Sequence, residues 1–73
     1  MSTTTKQSTE RAEQVVYPAC YEAAAAAYGD GMTPDEAYAV AKRVAERMVK
    51  ENGGCGYVTA MNAAYEATVA ATR

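Results

Sequence analysis

The sequence predicts an all-α fold, a small up-down-up three-helix bundle behind a disordered N-terminal tail. Three observations lead there. Apolar residues recur at helical spacing through three segments, and short Gly-bearing stretches around Gly29–Gly31 and Gly53–Gly54 separate them. No alternating Val/Ile/Thr run bounded by turns signals a strand. Loops of about four residues join helices that lie antiparallel, which leaves the bundle as the simplest arrangement.

Residues 1–8, MSTTTKQS, carry no apolar periodicity and read as a disordered tail, leaving 9–73 as a single three-helix domain. Helix 1 begins near Thr9. At about 100° per residue Ala12, Val16, Ala19, Cys20, Ala23, Ala26 and Ala27 share one face, with Val15 at its edge, and Arg11, Gln14 and Glu22 lie off it. The helix stops at Tyr28, and Gly29 suits the left-handed position that follows. Pro18 leaves two versions open. Either helix 1 is continuous from about residue 9 to 28 with a kink near Tyr17, or a short helix over 9–16 precedes a new one that starts at Pro18.

Helix 2 has the strongest start signal in the chain. Thr33-Pro34-Asp35-Glu36 supplies an N-cap hydroxyl, a proline at the first helical position and a Glu that completes a capping box. Ala37, Val40, Ala41, Val44 and Met48 then form a stripe with Tyr38, Ala45 and Val49 on its shoulder, while Lys42, Arg43, Glu46, Arg47 and Lys50 face away. Asn52-Gly53-Gly54 ends it. Helix 3 runs from Gly56 or Tyr57 to near the C-terminus. Its expected inward ridge is Val58, Met61, Tyr65 and Val69, with Ala64 and Thr68 beside it and a bare rear of Ala60, Ala63, Ala67 and Ala70.

The core available to these helices is thin. Among 73 residues there are 17 Ala, seven Val, six Tyr, four Met and two Cys, and no Leu, Ile, Phe, Trp or His. An alanine buries far less apolar surface than a leucine, while ordering each residue costs about 1–2 kcal/mol. The chain is therefore expected to be modestly stable alone, or to associate with itself as a homodimer.

Composition also excludes functions. The formal charge is -2, whereas gripping phosphate backbones takes clustered cations. The longest apolar run, Ala23 to Ala27, is far short of a membrane span, and no secretory or myristoylation signal opens the chain, so a cytoplasmic protein is expected. Without His there is no partner base for a cysteine nucleophile, although Cys55 precedes a helix, where thiol pKa values fall. Two cysteines do not make a metal site, and Asp30-Gly31 with Asp35-Glu36 lacks the spacing of a calcium loop. No catalytic residue, metal ligand or cofactor is expected. Cys20 and Cys55 are disulfide candidates. They meet if a new helix begins at Pro18, but a continuous helix 1 sets Cys20 about 15 Å along the bundle, too far for a bond.

What remains is surface. Tyr17, Tyr21 and Tyr28 fall within about 40° of one another on a continuous helix 1, with Ala24 in the gap. Tyrosine is enriched at binding hot spots, and it also closes the edges of cores that lack larger side chains. Tyr17, Tyr21, Ala24, Tyr28 and Tyr38 are accordingly the candidate partner-binding residues of a non-enzymatic module. Small acidic helical proteins of this kind act as adaptors or stoichiometric inhibitors, phage counter-defence proteins among them, by analogy of fold. The alternative is a nucleic-acid-binding regulator that uses Lys42, Arg43, Arg47 and Lys50. A helix-turn-helix reading of helices 2 and 3 fails on its recognition helix, whose one basic residue, Arg73, lies at the far end.

Overall fold

A computed structural model describes residues 12–52 and 56–73. The expected tail over 1–8, the helix onset at Thr9, Arg11, the Gly53–Gly54 stop and Cys55 lie outside the described residues, as does the side chain of Ala12. A π-helical turn, Ala12–Val16, leads directly into α1, Tyr17–Gly29; α2 is Pro34–Asn52 and α3 is Tyr57–Ala71. Each helix packs against the other two, and there is no strand among the described residues. The all-α three-helix bundle is thus the architecture of the protein.

The π turn answers the question Pro18 poses. Proline has no N–H to donate and its ring crowds the carbonyl four residues earlier, here that of Gln14. Widening the turn just before it accommodates both effects without ending the helix. Val16 keeps right-handed helical geometry, with φ -70 and ψ -47, and the helical path is continuous through Pro18.

The turn after α1 closes on a different glycine from the expected one. Gly29 is the last residue of the helix, and Gly31 takes the left-handed conformation, with φ +98. Met32 N–H donates to the Ala27 carbonyl and Gly31 N–H to the Tyr28 carbonyl, each at 3.1 Å. This pair of bonds is the Schellman arrangement, which satisfies carbonyls that a helix end would otherwise leave open. The capping box of α2 forms as the sequence indicates: Glu36 N–H donates to Thr33 Oγ1 at 3.2 Å and Thr33 N–H to Glu36 Oε1 at 2.8 Å.

The core is built almost entirely of alanine. Ala24, Ala27, Ala37, Ala41, Ala45, Ala60, Ala63, Ala64 and Ala67 are buried together with Val16 and Cys20. Each alanine methyl contributes only about 0.8 kcal/mol of burial, but no rotamer entropy is lost in burying it. Helices faced with alanine can also come close together. Cys20, with one rotatable side-chain bond, reaches from α1 to the backbone of α2, its Sγ lying 3.4 Å from the Ala41 carbonyl oxygen. Larger side chains stand at the margins: Tyr17, Tyr38, Val40, Val44, Met48, Val49 and Met61 are partly buried against this cluster, as is Ala71.

Two expected faces are corrected. On α3 the alanine side, with Ala64 and Thr68, is the inside, whereas Val58, Tyr65 and Val69 of the expected ridge are exposed and only Met61 of that ridge is half-buried. Thr68 is tolerated there because its hydroxyl donates to the Ala64 carbonyl at 2.8 Å. On α1 the buried line is Val16, Cys20, Ala24 and Ala27, rotated by about 50° toward the tyrosines from the expected face. Ala26 is exposed as a result, and Ala19 and Ala23 are half-buried.

Candidate protein-binding surfaces

The expected tyrosine stripe on α1 exists, without its alanine. Tyr21 and Tyr28 are 43% and 42% exposed, and Tyr17 is half-buried against the core. Tyr17 and Tyr21 stack, with ring centroids 6.4 Å apart and planes inclined by 25°. They border a shallow groove of about 630 Å³ completed by Pro18, Glu22 and Ala25. The proline contributes here as well, because the helix runs through it and so holds the two rings one turn apart on the same side. Ala24 is fully buried and leaves the candidate surface. It is the member of the buried line nearest the tyrosine stripe, and close packing of three helices draws it inward.

Tyr38 does not join that stripe. It stands on the seam between α2 and α3, where its ring meets that of Tyr65 edge-on at 5.7 Å and 85°. Lys42 Nζ sits 5.3 Å from the centre of the same ring, a cation–π arrangement. Tyr17 and Tyr38 therefore close edges of the alanine core, while Tyr21 and Tyr28 offer free area.

A second set of exposed apolar residues, not anticipated from the sequence, lies on α3: Tyr57 at 52%, Val58 at 71% and Tyr65 at 57%. Val58 and Tyr65 belong to the ridge expected to be buried, and Tyr57 is expected only as the start of the helix. The signal for the opposite reading was present in the all-alanine face behind them and in the near absence of charge to mark an outside.

The basic residues Lys42, Arg43, Arg47 and Lys50 are all exposed on α2, with the exposed carboxylate of Glu46 among them. Burial pushes the Cys20 thiol up to about 11, with only partial offset from the Ala45 backbone, so the thiol is protonated and unreactive at neutral pH. Cys20 is a free thiol, and the other half of the candidate disulfide, Cys55, is outside the described residues. Among the described residues no cluster of His, Cys, Asp and Glu could hold a metal, and no helix is long and apolar enough to cross a membrane. Comparison with protein-family models, curated proteins and solved structures finds no match.

Proposed function

We propose that this protein is a small non-enzymatic binding module of the cytoplasm, an adaptor or stoichiometric inhibitor that docks on another protein through the tyrosine surface of α1. One observation carries the reading: alanines fill the interior, while large apolar and aromatic side chains remain outside. Burying Tyr21 or Tyr28 in the monomer would add more to its stability than burying any alanine. The place of Tyr21 beside the stacked Tyr17 and the groove over Pro18 and Ala25, with Tyr28 exposed farther along the same stripe, suits a partner that uses rigid aromatic area.

The test is affinity capture from the native host with the wild type and with Tyr21→Ala and Tyr28→Ala variants. A protein recovered in stoichiometric amount by the wild type and lost with the variants is the expected result. Equal recovery by wild type and variants, or a wild type that captures nothing, would overturn the reading. Solution mass measured with and without reductant shows whether that partner is a second copy of the chain.

A further inference from the structure

We propose that the seam between α2 and α3 is a second docking surface and that its occupant is an acidic amphipathic segment of another protein. A groove of about 300 Å³ runs there, lined by Ala39, Lys42, Arg43, Glu46, Tyr57 and Met61. Tyr57, Met61 and Tyr65 recur every four residues along α3, so the apolar wall extends about 12 Å, or two helical turns. That length matches the two or three anchor side chains by which an amphipathic helix seats in a groove.

The charge of the opposite wall selects the occupant. Between Lys42 and Lys50, α2 presents four cations and one carboxylate to solvent, in a chain whose formal charge is -2. Two of those cations, Lys42 and Arg43, line the groove itself. A segment with carboxylates along one side and apolar residues along the other meets both walls, whereas a basic segment meets repulsion from Lys42 and Arg43. Lys42 is already held over the Tyr38 ring, which positions its charge at the rim before a partner arrives.

Two features favour a peptide over a nucleic acid. Glu46 sets a carboxylate among the lining cations, which a peptide can meet with an uncharged residue, whereas a polynucleotide carries a phosphate at every unit. The Tyr38 ring is engaged by Lys42 and by a T-shaped contact with Tyr65, so it is not a free platform for stacking a base.

The experiment is a selection from a random peptide library displayed against the wild type, with a Lys42→Glu/Arg43→Glu double variant as counter-target. Both residues are exposed, and circular dichroism checks that the variant keeps its helices. The expected winners are acidic sequences with apolar residues at i, i+3 or i+4 spacing. They bind the double variant about tenfold more weakly, weaken with added salt, and are indifferent to Tyr21→Ala. In the wild type they shift the NMR signals of Tyr57 and Met61, a readout that holds even if the double variant does not fold. Basic or neutral winners, equal affinity for a folded double variant, or unmoved Tyr57 and Met61 signals would overturn the proposal. So would tighter binding of oligothymidylate than of any peptide, or a dimer of the chain that the double variant dissociates. Loss of peptide binding on Tyr21→Ala would instead place the peptide on α1, overturning this inference while supporting the tyrosine-surface reading.

Discussion

α2 and α3 are similar in composition along their apolar positions, yet only one of them declares which side faces in. On α2, Lys42, Arg43, Glu46, Arg47 and Lys50 occupy one side, so the opposite side has to be the interior, and Ala37, Ala41 and Ala45 are buried there. α3 has a large-residue side with Val58, Tyr65 and Val69 and a small-residue side with Ala60, Ala63 and Ala67, and few charges to decide between them. The small side is buried. Charge is a strong marker of the outside because an unpaired buried charge is so costly, whereas side-chain size is a weak marker of the inside. Three helices that approach closely have no room for a ridge of Tyr and Val at their common axis, and the alanine faces fit there instead.

Substitutions that exchange the two kinds of face put this comparison at risk. The largest effect is expected from Ala24→Glu, which places a carboxylate at a fully buried site and costs about 3 kcal/mol or more, enough to unfold a domain of this size. Ala26→Glu, two residues along on the exposed side, should change stability by no more than about 0.5 kcal/mol. Thermal melts followed by circular dichroism compare the two, and similar melting temperatures would mean that α1 does not pack as described.

On α3 itself, Ala64→Leu is expected to cost about 1–3 kcal/mol by overpacking the helix contacts. Val58→Ala, at a site 71% exposed, should cost less than about 0.5 kcal/mol. Chemical denaturation measures both. The reverse order would restore Val58, Tyr65 and Val69 as the inner ridge and remove the apolar wall of the α2–α3 groove.

A smaller pair of effects separates two glycines that look alike in the sequence. Gly31→Ala must force a Cβ into a left-handed conformation, which costs about 1–2 kcal/mol although the space around it is open. Gly29→Ala also meets nothing within 4 Å, but it lies at the end of a helix and should stabilise the protein by up to about 1 kcal/mol. Opposite signs in denaturation midpoints are the expected result.

The finest probe of the interior is the Cys20 thiol. Its folded-state pKa of about 11 lies above the ordinary 9.0, so the unfolded chain gives up this proton first as pH rises. The stabilising contribution is complete below pH 9 and is lost between pH 9 and about 11. The pH dependence of stability should therefore fall more steeply in that window for the wild type than for Cys20→Ala. Parallel curves would mean that the thiol is not held away from water.

The start of α2 was legible because its signals are local. Thr33, Pro34 and Glu36 lie within four residues, and their bonds form within one turn of helix. The direction of α2 was legible because charge marks it. By contrast, the choice between Gly29 and Gly31 turned on where the helix ends, a one-turn decision that either glycine could serve. The exposure of Val58 and Tyr65, and hence the second surface, is not legible in the sequence, because large apolar residues at helical spacing read as core.

By itself the sequence determined three helices, their order, the N-terminal cap of α2 and the absence of a charge on its inner side, since propensity, capping and desolvation act over a few residues. Tertiary structure decided which sides of α1 and α3 are buried and that the helical path runs through Pro18. It also drew Ala24 inward and left Tyr21 outside. The physical reason is that three alanine-faced helices gain most by close approach of their backbones, and only the mutual fit of all three fixes how each is rotated to achieve it.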